Sequence, residues 1–295
     1  MKKRIIKVEK VNIERWEIGQ GKVKILITAG IHGDEHSQQL VIKQLLKKVN
    51  DRLPLTLVIL PRLNPLGLKK NCEENPTDKL NMNRIFPGSP NSKYISKRIA
   101  DLVMQEAKKC NAIIDLHNFS DPALPQTIFI NTGNKKIKRE SLKLCKLFNL
   151  PIIWKINPKS KSISNIHKTL IFNTINIGIP SVGAELPPLD HLLSSQVSES
   201  VQGINNIIKH LLKQKIKNKN KGRVFLRQNI RAKSKGSFKQ LVSLGISIKK
   251  NQTIGIIKTK KEILKINSPV SGQIVRIKLS GPVKKNELLI NIAKK

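Results

Sequence analysis

Three short apolar runs constrain this chain most: KVKILITAG at 22–30, LPLTLVILPRL at 53–63 and NAIIDLHN at 111–118. Each is rich in aliphatic and β-branched residues and closes on a turn or polar signal, so each reads as a buried strand. Between them the period changes to that of a helix. Residues 34–49 put Leu40, Val41, Leu45 and Leu46 on one stripe, and from Asn91 onward Tyr94, Ile95, Ile99, Leu102 and Val103 do the same. Tyr94 reads as core. Further strands are expected at 126–131 and 180–186, with helices around 138–148 and 194–213. Residues 64–90 read as a long polar connection without periodicity, a kind of loop that usually carries function. Strands alternating with helices imply an α/β fold: a mostly parallel mixed sheet with helices on both faces.

The segment KQKIKNKNKGR at 213–223 reads as a linker. Beyond it the sequence holds short strands punctuated by glycine- and proline-containing turns, with no convincing helix. The expected division is a catalytic domain over 1–215 and a small all-β domain over 216–295.

Lys+Arg at 56 against Asp+Glu at 19 gives a formal charge of +37. The lysines are spread along the whole chain and lack the interleaved aromatics on which bases stack. The excess therefore implies weak, salt-sensitive polyanion contact and no specific nucleic-acid partner. Three cysteines, with no close pair, exclude a disulfide framework and fit a reducing compartment. No apolar run approaches a membrane span, and charges interrupt the N-terminal stretch, so a cytoplasmic protein without membrane contact is expected.

The chemistry concentrates at strand ends. GIHGDEH follows the first run, His117 ends the third, and Glu185 ends PSVGAEL. In open α/β sheets ligands bind outside the carboxyl ends of the strands. Two histidines and a carboxylate suit a catalytic zinc with a fourth position for water. Any one of these residues alone would be an ordinary cap or solvent contact; together they point to a metal hydrolase.

In this order GIHGDE, DKLNMNRIFPG, IIDLHN and GAELP resemble the succinylglutamate desuccinylase/aspartoacylase family, which has a zinc carboxypeptidase-like fold. The resemblance runs from about residue 20 to the end of the chain. It implies one zinc ion per chain held by His32, Glu35 and His117, a substrate carboxylate held by Asn83 and Arg84, and Glu185 as the catalytic acid/base. The implied partner is a small N-acyl amino acid, with a homo-oligomer left open. The alternatives are a carboxypeptidase for short or cell-wall peptides and an impaired basic binding protein on the same fold. Two positions depart from the family pattern: Glu73 stands where a second arginine is usual, with Lys69 and Lys70 nearby, and Asn81 replaces an aspartate. INSPVSGQIVRI is also similar to the barrel-sandwich motif of biotinyl and lipoyl carriers. Lys261 is flanked by Lys260 and Glu262 and not by methionines, so no modified lysine is expected.

Overall fold

The computed structural model describes residues 1–158, 165–216 and 222–294, so the centre of the expected linker, 217–221, lies outside the described residues. The first eight strands are β1 (Lys2–Val8), β2 (Val11–Ile18), β3 (Lys24–Thr28), β4 (Thr56–Leu60), β5 (Ala112–Asn118), β6 (Gln126–Ile130), β7 (Ile152–Ile156) and β8 (Ser181–Leu186). The C-terminal strands are β9 (Arg223–Arg231), β10 (Gly236–Gln240), β11 (Ser247–Ile248), β12 (Thr253–Lys258), β13 (Ile263–Asn267), β14 (Gly272–Ile277), β15 (Gly281–Val283) and β16 (Leu288–Lys294). The helices are α1 (Ser37–Leu46), α2 (Pro65–Lys70), α3 (Ile95–Ala107), α4 (Lys135–Phe148), α5 (Leu170–Asn176) and α6 (Ser194–Leu211).

Among the described residues, twelve strands form one sheet in the order β1-β2-β4-β3-β5-β8-β6-β7-β9-β16-β14-β11. The expected parallel pairing holds through the centre, in β4-β3-β5-β8 and in β6-β7-β9. Both margins and the β6–β8 step are antiparallel, so parallel order is a property of the centre alone.

Strand alternation divides the core in two. Ile25 and Ile27, Leu57 and Ile59, and Ile114 face α1, α4 and α6. Leu26, Val58, Leu60 and Ile113 face α3 and the start of α5. The period-2 geometry of a strand sends neighbouring side chains to opposite faces, so runs buried on both sides are apolar throughout. Helices cover both faces. Gly203 of α6 lies so close to α4 that a Cβ there would stand 2.2 Å from the Phe148 carbonyl oxygen.

The C-terminal strands join the sheet through β7 and β9, while β10, β12, β13 and β15 form a second sheet over a cluster that includes Phe238, Ile254 and Ile290. The connection at 64–90 is less irregular than its sequence suggests. Asn64 caps the short helix α2 by accepting from the Gly67 N–H, and Asn81 caps a 3₁₀ turn over Met82–Arg84. Tyr94 is half-buried at the N-cap of α3, with the Lys93 and Lys97 ammonium groups over its ring, and is not core. Among the described residues no helix is long and apolar enough to cross a membrane.

Candidate metal centre

The chain leaves β3 through Gly30, whose φ of +64° lies in the left-handed region where glycine is unstrained. Gly33 then passes against α2, where a Cβ would stand 2.1 Å from the Gly67 carbonyl carbon. This close approach ties the GIHGDE turn to the NPLG turn. At the start of α1 the Ser37 N–H donates to Asn118 Oδ1 and its hydroxyl donates to the Pro187 carbonyl. The loop is thereby fixed to the ends of β5 and β8, and Glu35 is aimed at His117.

Glu35 lies between the two imidazoles. Its Oε1 is 2.6 Å from His32 Nδ1 and its Oε2 is 3.0 Å from His117 Nδ1. All three residues are buried, and one ligand atom from each lies within 4.8 Å of the others. The outer nitrogens are also engaged: His117 Nε2 is 2.9 Å from Asp115 Oδ2, and His32 Nε2 is 3.2 Å from Asn81 Oδ1. With Nε2–H donated outward, each ring turns its Nδ1 to the Glu35 carboxylate and so to a common point, and loss of the Nδ1 proton would free the lone pair that a histidine ligand offers. The donor set and this outer support fit a divalent ion of the zinc type.

In the ion-free protein burial opposes charging of His117, but Asp115 and Glu35 outweigh it and raise its pKa well above the ordinary value. Burial likewise opposes a charged His32, and Glu35 outweighs it to raise that pKa. Burial would lift the Glu35 carboxyl, yet His117 and His32 bring it down to about 2.

Register explains the rest of the site. His117 pairs with Glu185 across β5–β8, and Glu185 pairs with Gln126 across β8–β6. Glu185 thus shares a face with His117 in one cavity of about 310 Å³, which Asn83, Arg84 and Asp115 also line. Burial raises the Glu185 pKa, with His117 pulling against it. Asn83 Oδ1 accepts from the Leu170 N–H, and Arg84 Nη1 donates to the Asn83 carbonyl. The six residues expected from sequence therefore converge on one cavity edge or its loop.

Two residues were missed. Asp115 lies two positions before His117 on the same strand face, and its Oδ1 accepts from the Thr28 hydroxyl at 2.7 Å. The i, i+2 spacing in DLH was its only sequence signal. Arg227 of β9 stacks on Trp154, its guanidinium carbon 3.1 Å from the ring centroid, and donates to Gln126 Oε1. Burial lowers its pKa to about 9, against the pull of Glu185, so it stays charged at neutral pH. Glu73, where the family's second arginine was expected, accepts from Asn81 Nδ2 at 2.7 Å. It thereby supports the side chain that meets His32.

A larger hollow of about 840 Å³ opens beside Arg223, Phe225 and the 269–273 turn, but no histidine or carboxylate among the described residues lines it. The narrower cavity holds the reactive groups. A profile of the succinylglutamate desuccinylase/aspartoacylase catalytic domain matches residues 22–211, well over half the chain. The chain belongs to this family.

Several solved structures have a similar fold. A succinylglutamate desuccinylase/aspartoacylase from Rhodobacter sphaeroides superposes with a TM-score of 0.84 at 19% identity, over 97% of this chain and 89% of that one. The product-bound ectoine utilization protein EutE (DoeB) from Ruegeria pomeroyi gives 0.84 at 17% identity, over 97% and 89%. A metallo-carboxypeptidase from Burkholderia cenocepacia is more distant, with a TM-score of 0.57 at 15% identity over 72% of this chain and 65% of that one. No curated protein matches the chain.

Asp115→Asn tests the outer support of this desuccinylase/aspartoacylase-family centre. The carboxamide keeps the shape but withdraws the charge that orients and enriches His117. Metal affinity should fall by roughly 10- to 100-fold, as for other outer partners of histidine ligands. Competition with a chromophoric chelator measures this, and an unchanged dissociation constant would leave Asp115 a purely structural residue.

Proposed function

We propose that the protein is a zinc-dependent hydrolase that removes an acyl group from an N-acylated amino acid or a related small amide. The observation that carries this reading is the cross-strand register of Glu185 with His117, which sets a carboxyl of raised pKa beside the histidine–glutamate cluster. One zinc ion per chain, held by His32, Glu35 and His117, would supply Lewis-acid polarisation and bring a water's pKa toward neutrality. Glu185 takes the proton of the attacking water as its oxygen adds to the amide carbon. It then passes that proton to the nitrogen as the C–N bond breaks, releasing a carboxylate and a free amine. Asn83 and Arg84 hold the carboxylate of the amino acid, for which the planar arginine fork is suited.

Arg84→Lys replaces that fork with a point charge. It should raise KM for carboxylate-bearing substrates by about 10-fold or more while changing kcat less. Identical effects on a substrate and on its carboxamide analogue would remove Arg84 from this role.

A cavity of about 310 Å³ favours a small amide over a cell-wall peptide, since it lies at the low end of ligand-site volumes. Glu73 in contact with Asn81 gives the unusual residue a use, which weighs against a decayed binding protein. Residues 216–295 are taken as a small β domain because β10, β12, β13 and β15 with their neighbours enclose a cluster of their own. The thiols of Cys110 and Cys145 are pushed up to about 12 by burial and all three cysteines are free, which suits the reducing cytoplasm. The test is zinc-loaded protein against N-acetyl, N-succinyl and dipeptide amides, with products identified by mass spectrometry. Release of amino acid that stops on chelation and returns with zinc is expected. Absence of turnover across the panel would overturn the reading.

A further inference from the structure

We infer that Glu73 and Asn81 are a matched positioning pair for His32, in which the carboxamide at 81 requires a hydrogen-bond acceptor at 73. The two positions at which the sequence leaves the family pattern are then one feature and not two. The inference concerns how the metal ligand is held, whichever amide is hydrolysed.

The Asn81 carboxamide is used at both ends. Its Oδ1 accepts from the Asn83 backbone N–H at 2.9 Å, and His32 Nε2 lies 3.2 Å from the same oxygen. A backbone N–H can only donate, so the amide end that faces it is oxygen, and His32 must donate there as well. One oxygen atom thus joins a metal ligand to the turn that carries Asn83 and Arg84. The other end, Nδ2, is a donor only, and it meets Glu73 Oε1 at 2.7 Å. Glu73 is placed for this contact by its own backbone, whose carbonyl accepts from the Gly33 N–H of the GIHGDE turn and from Asn64 Nδ2. Its side chain is exposed, so a replacement there disturbs neither face of the core.

This arrangement restricts what can stand at 73. An arginine has five N–H donors and no acceptor. It would face Nδ2 donor to donor, and turning the amide over would set that nitrogen against the Asn83 and His32 donors. Either orientation leaves polar groups unpaired, which is costly beside a buried histidine. An aspartate at 81 has no such conflict. One of its oxygens can receive His32 and Asn83 while the other receives the arginine. Arginine at 73 therefore suits aspartate at 81, and glutamate at 73 suits asparagine at 81.

The experiment measures zinc affinity by competition with a chromophoric chelator across a double-mutant cycle, which isolates the interaction of the pair. Glu73→Arg should weaken zinc binding about 10-fold, as the loss of an outer partner of a histidine ligand does. In the Asn81→Asp background the same change should cause no loss. Glu73→Gln keeps an acceptor oxygen and should stay within about twofold of the parent. An equal loss from Glu73→Arg in both backgrounds overturns the inference, since a merely structural role or a general effect of charge does not depend on residue 81. A loss in Glu73→Gln as large as in Glu73→Arg overturns it too. No substrate enters the measurement, so failure of the deacylase reading leaves the result standing. Absence of zinc binding by the parent overturns the inference.

Discussion

Glu185→Gln should keep the metal and the fold and lose turnover by about 100-fold or more. The side chain ends a strand whose neighbours on both sides are fixed by register, His117 on one and Gln126 on the other. A carboxamide has nearly the volume of a carboxylate and retains hydrogen bonding, so neither sheet pairing nor the cavity wall has cause to change. It has no basic oxygen of comparable strength. General-base and general-acid steps typically contribute 100- to 10,000-fold, and here one group performs both. Glu185 is not among the three residues whose ligand atoms converge. Metal content by elemental analysis and melting temperature should therefore match the parent while kcat falls. A variant emptied of metal would make Glu185 a ligand. One that retained kcat would transfer the proton role to another group.

The sequence disclosed the parts of this site that depend on local pattern. HGDE, DLHN and AELP each place a polar group at the end of an apolar run, and strand ends are where α/β sheets bind ligands. The central strands and α1, α3, α4 and α6 were legible because burial on one or both faces writes a period into the residues. Shorter elements were not. α2 spans six residues, less than two turns, and its Asn64-Pro65 start reads equally as a turn. β7 and α5 are brief, and β1 is exposed along most of its length, so no buried face marks it.

Long-range placement was the other limit. Arg227 reaches the cavity only because β9 pairs with β7 across many intervening residues, and in a chain with 56 lysines and arginines one more carries no signal. Glu73 read as the loss of an arginine. Its contact with Asn81 depends on how the 64–90 connection folds back on itself, which periodicity does not encode.

Metal affinity should rise about 100-fold per pH unit below the folded histidine pKa values. The metal-free protein gains no further stability from these groups between about 4.5 and 6.5 and loses stability above that. Both follow from the same three side chains. Without metal, Glu35 is held down to about 2 and both imidazoles are raised above 6.5. The lowered Glu35 pKa contributes stability that is present above its ordinary value of 4.5 and lost as pH falls toward 2. The raised histidine values contribute stability that is complete below 6.5 and lost as pH rises through the folded pKa values. The metal-free cluster is therefore most stabilising between about 4.5 and 6.5. A divalent ion needs both Nδ1 lone pairs and must expel one proton from each ring, so two protons leave for each ion bound. Each released proton gives about a tenfold change in affinity per pH unit, and the dependence flattens once pH exceeds the folded histidine values. Calorimetric zinc titrations near pH 6, in two buffers of different ionisation enthalpy, count those protons directly. Melting curves of metal-free and zinc-loaded protein across the same range should diverge progressively as pH rises. Release of no protons near pH 6 would mean that the rings are already neutral, and the charged Glu35 bridge would not then describe the metal-free protein.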